Sequence, residues 1–104
     1  MPEPRETLFT IDGGKGFTLP LPNGYSVSVQ FGPGNYCQNH RYLSESENLA
    51  EAERKAGAKG SWNAECAVLD PDGDFVVLPF GEVTVQGHMD PDQVWQLIAW
   101  AVSL

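Results

Sequence analysis

Asn23-Gly24-Tyr25-Ser26-Val27-Ser28-Val29-Gln30-Phe31 is the stretch that decides the fold. Tyr25, Val27, Val29 and Phe31 alternate with Ser26, Ser28 and Gln30, so the extended chain has one apolar and one polar face. That is how an antiparallel strand reads when one side meets a core and the other meets water. Asn23-Gly24 just before it is the strongest short hairpin signal and predicts a type I′ turn. The segment entering the turn, Phe17-Thr18-Leu19-Pro20-Leu21-Pro22, is extended, but its prolines cannot donate to a ladder, which predicts a sheet edge. Upstream, Asp12-Gly13-Gly14-Lys15-Gly16 reads as a turn. Leu8, Phe9 and Ile11 then belong to a first strand, after a loose arm over residues 1–7.

Downstream, Gly32-Pro33-Gly34-Asn35 stops the strand and an irregular loop follows. Ser44-Glu45-Ser46-Glu47 matches a capping box, and acids precede Arg54, Lys55 and Lys59 in the order that suits a helix dipole. The apolar stripe there is only Leu49, Ala52 and Ala56, so this helix is marginal and residues 36–60 read as a peripheral insertion. Residues 62–69 predict a strand, Asp70-Pro71-Asp72-Gly73-Asp74 a turn, residues 75–80 its partner, and residues 82–86 a further short strand. Asp90-Pro91-Asp92-Gln93 opens the clearest helix, with Asp as N-cap, Pro at N1 and Gln at N3. Val94, Leu97, Ile98 and Ala101 share one face of it, flanked by Trp95 and Val102. The expected fold is a single α+β domain over residues 1–104. It has a four- to five-stranded antiparallel sheet, the C-terminal helix packed on one face, and a short peripheral helix.

A chain of 104 residues holds one hydrophobic core, and 41% hydrophobic content sets it apart from disordered acidic tails. Lys and Arg number 6 against 14 Asp and Glu, a net charge of -8 with a pI near 4.4. That balance argues against direct binding to nucleic acid or anionic membrane and suits a protein partner with a basic surface. No apolar run approaches the roughly 20 residues that span a bilayer. The charged opening Met1-Pro2-Glu3-Pro4-Arg5-Glu6 lacks the apolar segment of a secretion signal, so a cytoplasmic protein is expected. The oligomeric state does not follow from any of this.

Chemistry-bearing patterns are sparse. Cys37 and His40 form a C-x-x-H pair, and Cys66 and His88 complete a conceivable zinc set, although neither of those has a partner at short spacing. Cys66 alternates within its strand and reads more simply as a small buried hydrophobe. A Cys37–Cys66 disulfide does not suit a cytoplasmic setting. Asp70, Asp72 and Asp74 resemble the start of a calcium loop, but the sixth position is Phe75 and the twelfth Gly81, so turn chemistry accounts for them. No nucleophile elbow occurs, and Gly32-Pro33-Gly34 lacks the ending of a phosphate loop. The expectation is a non-enzymatic protein without cofactor. Glu45, Glu47, Glu51 and Glu53 are candidates for steering a partner, and Tyr36, Tyr42 and Trp100 for anchoring it.

From Asn23 through Gly32-Pro33-Gly34-Asn35-Tyr36-Cys37, and again at Asp90-Pro91-Asp92, the chain resembles small proteins of no assigned activity encoded by phages and prophages of high-GC bacteria. The resemblance implies a strand pair around a glycine turn, a short final helix and a phage setting; it carries no functional residues. With the charge and size, it leads to an expected function: an accessory protein in the host cytoplasm that binds and inhibits a host protein. A nucleic-acid-handling defence factor, as in anti-CRISPR action, is the expected target. An assembly module and a small zinc protein using Cys37, His40, Cys66 and His88 are the alternatives.

Overall fold

The computed structural model describes residues 10–11, 16–40, 48, 51 and 61–104. Five strands form one antiparallel sheet in the order of the chain: β1 (Thr10–Ile11), β2 (Gly16–Pro20), β3 (Ser26–Gln30), β4 (Ala64–Leu69) and β5 (Val85–Met89). Helix α1 (Pro91–Val102) follows. The register sets Leu19 beside Val27 beside Val68, and Phe17 beside Val29 beside Cys66. These rows make the apolar face, and Leu97 and Ala101 of α1 are buried against it, with Val94, Ile98 and Trp100 packed at the margin. The α+β architecture expected from the alternation around Val27 is the one observed.

Helix α1 begins as its sequence dictates. The Asp90 carboxylate accepts from the Gln93 backbone N–H at 2.8 Å, and the Gln93 side-chain oxygen accepts from the Asp90 N–H at 2.9 Å. Its last turn has no cationic side chain. Asn23 serves there instead: its amide nitrogen donates to the carbonyls of Ala101 at 2.9 Å and Val102 at 3.2 Å. The same side chain accepts from the Tyr25 N–H at 3.1 Å, so one residue closes the first hairpin and holds the end of the last helix.

That hairpin is not the type I′ turn expected at Asn23-Gly24. A two-residue loop would need an N–H on Pro22 to pair with Tyr25, and proline has none. The Leu21 N–H donates to the Tyr25 carbonyl at 2.8 Å instead, and the Gly24 N–H to the Leu21 carbonyl at 3.1 Å. Gly24 takes φ +89° while Asn23 keeps a negative φ, the arrangement of a type I turn closed by a glycine bulge. Asp70-Pro71-Asp72-Gly73-Asp74 repeats it, with Asp70 N–H to Asp74 carbonyl at 2.8 Å, Gly73 N–H to Asp70 carbonyl at 2.9 Å and Gly73 at φ +87°.

Two further expectations are corrected. Strand β2 is not an edge, because β1 pairs with Phe17 and Thr18; Pro20 and Pro22 lie beyond these described pairs. Nor do residues 75–80 form the partner of β4. Phe75 bridges Leu69 and the Val76 N–H donates to Val68, but then the chain leaves the sheet. Pro79 has no donor, and the Leu78 N–H turns back to the Val83 carbonyl at 2.8 Å, with Leu78 itself buried. The chain rejoins β4 at Val85, so the strand expected over residues 82–86 falls at Val85–Met89. The pairing slips between Ala64 and Cys66, where Gly87 and His88 carry an extra residue and His88 adopts φ +53°.

Of the insertion expected over residues 36–60, the capping box at Ser44 and Glu47 lies outside the described residues, and no peripheral helix is established. Within it the Asn48 side chain accepts from the Glu51 N–H at 2.8 Å. Residues 36–40 are fastened to the sheet. Glu65 accepts from the Asn35 amide at 3.1 Å and the Tyr36 N–H at 3.2 Å, and the His88 N–H donates to the Tyr36 carbonyl at 2.8 Å. Tyr36 crosses so close to Gly87 that a Cβ there would lie 2.6 Å from the Tyr36 Cβ.

Two variants test these ties by urea unfolding. Asn23→Ala removes the helix-end donor and should cost about 1–2 kcal/mol. Asn23→Asp keeps the acceptor for Tyr25 but sets a negative charge at the negative end of α1, so it should cost at least as much; an Asp variant as stable as wild type refutes the bridge. Gly87→Ala should cost about 1–3 kcal/mol by overpacking and speed hydrogen exchange at the His88 amide while sparing the first hairpin.

Candidate functional site

The residues expected to contact a partner do not assemble into one described surface. Glu45, Glu47, Glu53 and Tyr42 lie outside the described residues. Glu51 is half-buried at the Asn48 bond. Tyr36 is 61% exposed, its ring stacked on that of His40 with centroids 5.1 Å apart. Trp100 is partly buried against the core in the last turn of α1, so it closes the margin of the core. Tyr36 is tied to His88, just before the helix, and Trp100 sits in the last turn near Asn23, so the two flank opposite ends of α1.

Cys37, His40, Cys66 and His88 do not converge. Among the described residues, no group of three or more His, Cys, Asp or Glu side chains is placed to hold a metal ion. Cys66 belongs to the buried face of β4, whereas Cys37 is buried in the loop and its thiol donates to the Gly32 carbonyl at 3.5 Å. Both are free thiols. Asp70, Asp72 and Asp74 keep to turn chemistry: one oxygen of Asp70 accepts from the Asp72 N–H at 2.9 Å and the Asp74 N–H at 3.0 Å.

Sequence reasoning missed an exposed apolar groove. Trp62 is 77% exposed and Trp95 70% exposed, and both line a groove of about 300 Å³ beside the start of α1. Phe17, Phe31, Met89 and Ile98 complete its apolar lining. Trp62 precedes β4, where its backbone N–H is fixed by the Gln38 side chain at 2.7 Å. Trp95 was legible as a flanking residue of the helix face; what the sequence does not contain is that the sheet leaves this flank uncovered.

The described residues carry Glu51, Glu65, Asp70, Asp72, Asp74, Glu82, Asp90 and Asp92, and no Lys or Arg. The chain's six basic side chains lie outside the described residues. No helix among the described residues is long and apolar enough to cross a membrane.

Burial, with a smaller contribution from the neighbouring Glu65 charge, pushes the Cys66 thiol from 9.0 up to about 12. The folded protein therefore keeps this proton where the unfolded chain has lost it. The resulting stability is complete below pH 9 and drains away as the pH rises toward 12. Unfolding midpoints should fall more steeply with alkaline pH for the wild type than for Cys66→Ala; equal slopes would refute the buried thiol.

Comparison of the chain with protein-family models, curated proteins and solved structures yields no match.

Proposed function

We propose that this chain is a small, acidic, non-enzymatic accessory protein of the phage type that binds a basic host protein and blocks it. A nucleic-acid-handling defence factor in the host cytoplasm, of the kind anti-CRISPR proteins inhibit, is the target that suits its charge. The observation that carries this reading is the net charge of -8, with Asp72, Asp74, Glu82, Asp90 and Asp92 exposed among the described residues. A surface of one sign can occupy a groove built for phosphates and raises the rate of encounter with a basic partner. Self-assembly through the sheet is less well supported, since the edge strand β5 already gives its His88 N–H to Tyr36.

The test is retention of host proteins on the immobilised chain. Bound proteins should be basic and nucleic-acid-binding, should release as salt is raised, and should be displaced from the chain by duplex DNA, which competes for their basic grooves. Combined Asp72→Asn, Asp74→Asn, Glu82→Gln and Asp92→Asn changes should weaken binding by about tenfold or more, as should reversal of Glu45, Glu47, Glu51 and Glu53 to lysine. Retention indifferent to salt and to both sets of changes would sink the charge mechanism.

A further inference from the structure

We propose that the groove lined by Trp62 and Trp95 is a docking site for a basic segment of a partner protein. An aromatic or aliphatic side chain of that segment would be seated in the groove, and flanking Lys or Arg would face Asp90 and Asp92. This rests on the reading above that the partner is basic, and adds where and how it is held.

The groove has the dimensions and chemistry for one inserted side chain. Its volume of about 300 Å³ lies at the small end of ligand pockets. Its walls are Phe17, Phe31, Met89, Val94 and Ile98, contributed by the sheet, the loop after β3 and the helix. The polar groups at its edge are already engaged within the chain: the Ser61 hydroxyl donates to the Asn63 carbonyl at 2.6 Å, and the Asn63 side chain accepts from the Gln38 N–H at 2.6 Å. What the groove offers an occupant is therefore apolar contact. Two largely exposed tryptophans on one groove are the residue type that dominates interface energetics.

Charge chooses the occupant. Pro91 and Met89 line the groove and Asp90 stands between them. Asp92 precedes Trp95 by three residues in the first turn of α1, a spacing that makes neighbours on a helix surface. A second copy would bring the same net charge of -8 to the groove and meet like charge, whereas Lys or Arg beside an apolar side chain would meet opposite charge.

Panning a random peptide library on the full chain tests this, followed by titration of the enriched peptide with tryptophan fluorescence as the readout. Enriched peptides should pair an aromatic or aliphatic residue with flanking Lys or Arg. Trp62→Ala and Trp95→Ala should each weaken them by about tenfold or more. Both side chains are largely exposed, so the variants should unfold near the wild-type midpoint. Asp90→Asn with Asp92→Asn, which keeps a competent N-cap, should flatten the salt dependence. Basic peptides that bind with undiminished affinity to both tryptophan variants overturn the groove and leave the acidic-surface reading standing. Neutral or acidic peptides bound through Trp95 overturn the basic partner. Absence of any enriched peptide overturns the docking site. A concentration-dependent dimer abolished by Trp95→Ala assigns the groove to a second copy and overturns the proposal as well.

Discussion

Among the described residues one helix of twelve residues covers the apolar face of a five-stranded sheet, and most of their structure follows from how that coverage is achieved. Five strands at about 4.8 Å spacing span about 19 Å, and a helix with its side chains is about 10 Å wide. The helix must therefore be held in one place over the centre of the sheet. Leu97 and Ala101 sink completely there, against Val27, Val68 and Cys66. Both ends are fixed by side chains: the reciprocal Asp90 and Gln93 bonds at the start, and the Asn23 amide on the carbonyls of Ala101 and Val102 at the finish. The second tie joins residues 78 positions apart, so the β2–β3 hairpin and the last helix hold one another in place.

The parts of the fold that were legible in the sequence are those set by local rules. Alternation from Tyr25 to Phe31 marks the strand and its buried side, and Asp90-Pro91-Asp92-Gln93 marks the helix start, because strand period and capping depend on neighbours only. The hairpin falls at Asn23-Gly24 as the sequence predicts, but its type differs from the Asn-Gly preference because Pro22 has no N–H to pair with Tyr25. The strand expected over residues 75–80 fails for a reason that is not local. Phe75, Val76 and Val77 have the composition of a strand, yet β4 offers one free edge, and it is shared between Phe75–Val76 and Val85–Met89. Which segment wins depends on Leu78 reaching the core and on Tyr36 fitting over Gly87, and neither is visible from periodicity.

The candidate site was less legible, and for a related reason. Acidic runs and aromatic residues can be read from a sequence, but whether they share a surface is a tertiary property. Trp100 and Trp95 both flank the apolar face of the same helix, five residues apart; one is drawn against the core and the other is left 70% exposed. The choice is made by where the helix ends its coverage of the sheet. Cys37, His40, Cys66 and His88 show the converse: a composition that suits a metal, distributed by the fold between a strand, a loop and a bulge.

An apolar groove stands where the Phe17 and Phe31 end of the sheet meets Val94, Trp95 and Ile98 of the helix, with Trp62 and Met89 beside them. Its floor is β-sheet and one wall is the capped first turn of α1, so the shape exists before anything binds and little ordering is required on contact. Exposed apolar surface of this kind ordinarily invites self-association, which a net charge of -8 opposes. In the docking proposed above, acidity and groove would act together: charge would set how fast an opposite partner arrives and discourage a like one, and the buried contact would set how long the partner stays.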